Sequence, residues 1–288
     1  MSKNQSTRRF KRIIVCIISC TGKGPTYFGV IPNSAAAPKE RISIDSLSGM
    51  MNAFGLHHAG KSLAELLQKA ETEEMTYRDF LNAMLSCETK GRNERNRSRN
   101  YAMAHFPPNP KPLEEYNVSE LESGITDSQI HMLRDLNWVD AHGDLIFVGP
   151  PGVGKTMLAV GLGVDAVNAG YTVMFESMES LMYLLDHEKT DRKAGFRMKN
   201  IRRADVVIVD EIGYTPITRE QANAFYNFTS ACYGKTSMVF TTNKKVSDWA
   251  EILGDRELTT ALLDRILSRA KGYTLKGQSY RLNHPLEF

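Results

Sequence analysis

Eight consecutive residues, Gly149-Pro150-Pro151-Gly152-Val153-Gly154-Lys155-Thr156, constrain the fold of this chain more than any other stretch. They fit G-x-x-x-x-G-K-[ST], a loop whose glycines let backbone N–H groups curl around an anion that Cβ atoms would obstruct. Lys155 is placed to reach the β- and γ-phosphates of a nucleotide, and the Thr156 hydroxyl to ligate Mg²⁺. The flanks match this reading. Residues 144–148 read as a buried strand, and residues 157–162 as a helix whose N-terminus faces the phosphates. A strand, a phosphate loop and a helix in that order require an α/β fold.

From about residue 113 onward apolar strands alternate with helices. Strands are expected near 171–175, 206–209 and 238–241, and helices near 178–187 and 221–232. Such alternation implies a parallel sheet covered by helices on both faces. Val206-Val207-Ile208-Val209-Asp210-Glu211 is the second strong signal. Four apolar residues suit a strand buried on both faces, and the carboxylates fall at its C-terminal end, where ligands gather in open α/β sheets. Asp210 suits a magnesium role, directly or through water. Glu211 suits polarisation of an attacking water. Met238-Val239-Phe240-Thr241-Thr242-Asn243 repeats the pattern, with Asn243 positioned to orient that water or touch the γ-phosphate. Arg265 and Arg269 sit four apart and are expected on one helix face. A phosphoryl-transfer site needs a cation against transition-state charge, often from a neighbouring subunit. Arg269 is the first candidate for that finger, Arg265 the second and Arg256 the third.

The N-terminal third reads differently. Residues 44–58 carry apolar residues at helical spacing, and Ser43 can cap that helix. Ser62 can cap a second helix and Thr76 a third, with Asp79 at the capping-box position. The third helix runs into residues 90–100, where five basic residues, four of them Arg92, Arg95, Arg97 and Arg99, accompany one acid. That cluster is either a solvated linker helix or a surface for duplex DNA, because clustered arginines release counterions from phosphates. Arg192 to Arg203 is a second basic stretch. Prolines at 107, 108, 110 and 112 mark a linker. The expected division is an extension over 1–42, a helical domain over 43–105, a linker over 106–112 and the nucleotide-binding domain over 113–288.

Composition adds limits. The chain has 288 residues, a net charge of only +3, and four cysteines, Cys16, Cys20, Cys87 and Cys232. Few scattered cysteines suit a reduced, cytoplasmic setting. The apolar run 13–20 after Arg8, Arg9, Lys11 and Arg12 looks like a short signal-peptide core but is too short to span a bilayer. No membrane role is expected.

With these residues in place, the chain resembles the IstB family of insertion-sequence ATP-binding proteins and, more broadly, the DnaC-type helicase loaders of the AAA+ class. The resemblance rests on the phosphate loop, Val209-Asp210-Glu211-Ile212-Gly213-Tyr214, Thr241-Thr242-Asn243, Trp249, Ala261-Leu262-Leu263-Asp264-Arg265 and Gly277-Gln278-Ser279-Tyr280-Arg281-Leu282. Thr242 departs from the serine expected there. The resemblance implies a P-loop AAA+ core with a small N-terminal helical domain and without a long helical lid. It also implies ATP and Mg²⁺ as cofactors, assembly of a homo-oligomer on duplex DNA, and a partner transposase helped to engage its target. A DnaC-like replicative helicase loader is the alternative, and a P-loop kinase for a small molecule the third reading.

Overall fold

A computed structural model describes residues 42–110, 113–214, 216–249 and 256–279. Cys16, Cys20, the apolar run near the N-terminus, the stretch 280–282 and the Arg256 side chain lie outside the described residues. The chain clusters into two units, residues 1–47 and 48–288. Of the first, the described part is 42–47, where the Ser43 hydroxyl accepts from the Ser46 N–H at 3.2 Å and so caps the helix that starts at Ile44.

The helices of the N-terminal third are α1 (Ile44–Ala53), α2 (His57–Lys61), α3 (Leu63–Thr72) and α4 (Tyr77–Ala104). Thr76 caps α4 by accepting from the Asp79 N–H at 3.3 Å. Ser62 precedes α3 but makes no side-chain cap, against expectation, because it sits in the short turn that already closes α2. The 28-residue helix α4 is polar along most of its length, so propensity alone does not hold it in place. Its anchors are local. A Cβ at Gly91 would fall 2.2 Å from His58 Cγ, so glycine at mid-helix lets α2 lie against α4. Glu88, buried on the same face, accepts from the His58 and Ala59 N–H groups at 2.7 and 3.0 Å. Arg92 Nε pairs with Glu88 at 2.6 Å and its Nη2 donates to the Gly55 carbonyl at 2.7 Å.

Beyond α4 come β1 (Leu121–Ser123), α5 (Asp127–Arg134), α6 (Asn137–Asp140), β2 (Asp144–Val148), α7 (Lys155–Asn168), β3 (Val173–Ser177), α8 (Met178–His187), α9 (Arg192–Ile201), β4 (Val206–Ile212), α10 (Arg219–Cys232), β5 (Ser237–Thr242), α11 (Arg256–Leu267), β6 (Ala270–Thr274) and β7 (Lys276–Gly277). Five strands form one parallel sheet in the order β3-β4-β5-β2-β6, and β1 pairs antiparallel with β7. The fold is therefore the expected α/β one, a parallel sheet flanked by helices. Alternate side chains face opposite ways along each strand. Leu145, Phe147, Ile208 and Val239 pack with Leu158 and Leu162 of α7. Ile146, Val207, Val209 and Phe240 pack with Leu181 of α8, Met198 of α9, Phe225 of α10 and Leu262 of α11. Both faces are buried, which is why these strands read as unbroken apolar runs. Among the described residues no helix is long and apolar enough to cross a membrane.

Candidate functional site

The strand order puts β4, β5 and β2 side by side, so the polar residues that end β4 and β5 lie next to the turn that leaves β2. The phosphate loop leaves β2 there. Gly152 and Gly154 have φ of 80° and 94°, the left-handed region that side chains disfavour. At Gly154 a Cβ would also lie 2.9 Å from the Tyr116 ring. Gly154 starts α7, so the loop amides and the positive helix end point into the same space. Lys155 is nearly enclosed, and its ammonium donates to the Pro150 carbonyl at 2.8 Å across the loop.

Thr156 joins the loop to β4. Its hydroxyl donates to Asp210, 2.9 Å from Oδ1 and 3.1 Å from Oδ2. Two side chains fifty-four residues apart in sequence thus share one polar centre, the pair expected to hold Mg²⁺. Asp210 is 6 % exposed, while Glu211 beside it is exposed. The reason is a bulge. Val209 pairs with Phe240 and Ile212 with Thr242, so Asp210 and Glu211 together face Thr241 alone. Glu211 takes φ 64° to make this possible, a conformation costing a non-glycine residue about 1–2 kcal/mol. The bulge turns one carboxylate inward to Thr156 and the other out to solvent. Beside them, Asn243 Oδ1 is enclosed without a hydrogen-bond partner among the described residues. A cradle of amides, a lysine, a buried hydroxyl–carboxylate pair and a partnerless acceptor fits a nucleoside triphosphate with its divalent cation. Thr242, where serine was expected, is fully buried and donates to the Ile212 carbonyl at 2.7 Å, tying β5 to the end of the bulge.

The two arginines lie elsewhere. Helix α11 ends at Leu267, so Arg265 is helical while Arg269 sits in the following turn, and they do not share a helix face. Arg265 lies over the Tyr226 ring at 5.0 Å. Arg269 lies over Tyr233 at 5.3 Å and donates to the Ala141 carbonyl at 2.7 Å. Ala270 pairs with Asp144, the first residue of β2, whereas the phosphate loop follows Val148, the last. At roughly 3.3 Å per residue the strand separates the Arg269 backbone from the loop by about 13–16 Å. Asp144 itself is buried and its pKa is pushed up to about 6 by burial, against the opposing Met238 N–H and Arg269.

Of the first basic stretch, Arg95, Arg97 and Arg99 are exposed and Arg92 is engaged with Glu88 and Gly55. In the second, Arg197 is almost enclosed. It pairs with Glu176 at 2.5 Å and donates to the Met103 and Phe175 carbonyls at 2.6 and 3.1 Å, clamping the end of α4 to the edge strand β3. Arg192, Lys193, Lys199 and Arg203 are exposed. Arg99 from the first stretch and Arg192 and Lys193 from the second line one groove of about 930 Å³, with Tyr183 and Phe196 beside them. Sequence separation hid that meeting.

The sequence profile of the family described as IstB-like ATP binding protein matches residues 49–287. A protein of insertion sequence IS21 from Pseudomonas aeruginosa, named for ATP binding, is 36% identical over 236 residues, 82% of this chain and 88% of its own. An IS21-like counterpart from Bacteroides fragilis is 31% identical over 229 residues, covering 80% and 86%. Among solved structures, the DnaC helicase loader overlaps 57% of this chain and 96% of its own at TM-score 0.45 and 20% identity. DnaI overlaps 59% and 90% at TM-score 0.47 and 17% identity. The chain belongs to the IstB-like ATP-binding protein family.

Proposed function

We propose that this chain is a Mg²⁺-dependent ATPase that assembles on duplex DNA and helps a partner transposase engage its target. The observation that carries the ATPase part is the contact of Thr156 with Asp210, next to a bulge that exposes Glu211. Loop amides and Lys155 bind the phosphates. Thr156 and Asp210 hold Mg²⁺, which when bound offsets charge on the phosphates. Glu211 polarises water, and Asn243 orients it. The insertion-sequence names of the relatives support the transposition part. Arg95, Arg97 and Arg99 contact DNA phosphates, together with Arg192 and Lys193 of α9, which share a groove with Arg99. Arg269, or else Arg265, serves a neighbouring subunit, because the length of β2 keeps it from its own loop.

Glu211→Gln tests the reading. The amide cannot act as a base, so the variant is expected to bind ATP normally, to hydrolyse it about 100-fold more slowly, and to accumulate as an ATP-bound assembly on linear duplex DNA. Sizing and electron microscopy would read the assembly. Loss of ATP binding would make Glu211 structural; ATP turnover without any DNA-dependent assembly would remove the DNA part. Mixing Arg269→Ala with Lys155→Ala subunits should restore some turnover, and no restoration at any ratio between assembling variants would rule out a finger acting between subunits.

A further inference from the structure

Thr241 makes contacts that neither the phosphate loop nor the carboxylates explain. It is 1 % exposed in the centre of the sheet, and it is the residue opposite the bulge. Its hydroxyl donates to Asp210 Oδ1, in a short hydrogen bond, and accepts from the Glu211 N–H at 3.0 Å. One side-chain oxygen therefore touches both carboxylate residues. It fixes the inward one through its side chain and the outward one through its backbone. Only a hydroxyl can donate and accept at this point; a valine of the same shape can do neither. The bulge needs such a tie. Glu211 is held at φ 64°, and the regular ladder between β4 and β5 is interrupted there, so its N–H lacks an ordinary strand partner.

We infer that Thr241 is a positioning residue for the hydrolytic site: it sets where the Asp210 and Glu211 carboxylates stand relative to each other, without touching substrate itself. The inference rests on the ATPase reading above and deepens it. Asp210 Oδ1 accepts from two hydroxyls, Thr156 and Thr241. If Thr156 turns to a metal ion, Thr241 remains to hold the carboxylate. Glu211 would then act from a backbone position that β5 dictates.

The test uses the full chain with duplex DNA and compares Thr241→Val and Thr241→Ser, each in the wild-type and Glu211→Gln backgrounds. Affinity for a fluorescent ATP analogue and melting temperature are measured with turnover. Thr241→Val should slow turnover at saturating ATP by about tenfold or more while changing analogue affinity by less than roughly threefold. Thr241→Ser should return turnover to within roughly threefold of wild type, and the valine should slow Glu211→Gln by a smaller factor than it slows the wild type, since part of its effect acts through Glu211. If the valine variant does not fold, Thr241→Ala carries the same comparison. Wild-type turnover in the valine variant would overturn the inference. So would a serine variant as slow as valine, which would point to the methyl group, or an undiminished valine effect on Glu211→Gln. Absence of turnover in the wild-type chain, with ATP still bound, would instead overturn the ATPase reading and the inference with it.

Discussion

The nucleotide end of the sheet and the two arginine-rich stretches both declare themselves as clusters of charge, yet they use charge in opposite ways. At the sheet edge, neighbouring residues part company: the bulge sends Asp210 inward and Glu211 outward, and each has its own partners. In the arginine stretches, similar residues are divided by their partners. Arg92 and Arg197 hold the fold together through Glu88 and Glu176, while their neighbours face solvent. A run of like charges in sequence is therefore not one surface. The first stretch ties down Arg92, the second ties down Arg197 and pairs Arg202 with Glu188 at 2.5 Å, and the other cations of both face solvent.

The largest effect expected from this division is at Arg197. Removing it leaves the Glu176 carboxylate, 8 % exposed, without its cation and frees the Met103 and Phe175 carbonyls. Truncating one partner of a buried pair costs about 3–5 kcal/mol. Lys199→Ala, two residues away and exposed, should stay within about 0.5 kcal/mol. Denaturant melts of both variants give the comparison. Equal, small losses would show that Arg197 is as dispensable as its neighbours.

A smaller effect separates the first stretch. Each phosphate contact contributes roughly 0.9 to the log–log salt slope on duplex DNA. Neutralising Arg95, Arg97 and Arg99 together should flatten that slope and weaken binding to all sequences alike, since phosphate contacts carry no base information. Arg92→Gln should leave it nearly unchanged, because its guanidinium already faces Glu88 and Gly55. A slope insensitive to the triple change moves the DNA surface to α9; one equally sensitive to Arg92 removes the distinction.

Legibility followed the same line. The phosphate loop, β2 and β4 could be read because apolar strand and chemistry are contiguous, so local sequence carries both. The helix α8 falls on the expected residues 178–187, for its apolar residues recur at helical spacing. Edge strand β6, Ala270–Thr274, was missed because it is half exposed and carries lysine and glycine. Helix α9 was read only as charge, although Ala194, Met198 and Ile201 recur at helical spacing on its buried face. The fate of Arg197 depends on Glu176, twenty-one residues back, and on the end of α4, more than ninety back. No local pattern contains that information. Thr241 lay in a stretch already singled out, but its importance comes from a bulge in another strand.

The finest test of the division concerns Glu88, the acid that makes Arg92 structural. Burial opposes its charge, but the Ala59 and His58 N–H groups and Arg92 outweigh that, so its pKa lies below the ordinary 4.5. A carboxylate with a depressed folded pKa stabilises the fold above its unfolded value, and the stabilisation disappears as pH falls through the folded value. Asp144 works in the other direction. Its pKa is about 6 in the fold, so the fold gains stability as pH falls from about 6 towards 4. The curve for the whole protein mixes these windows, and the difference between wild type and Glu88→Gln isolates one of them. Arg92 is 45% exposed, so solvent screens its share, and the gap at pH 7 should be on the order of 1 kcal/mol. It should hold down to about pH 5, begin to shrink near the ordinary 4.5 as the unfolded chain takes up the proton, and close once pH falls below the depressed folded value, where protonated Glu88 and glutamine are both neutral. Melting both proteins from pH 7 to pH 3 supplies the measurement. A gap that stays constant through that range would mean that shape rather than charge makes Glu88 matter, and that Arg92 is as available to DNA as Arg95.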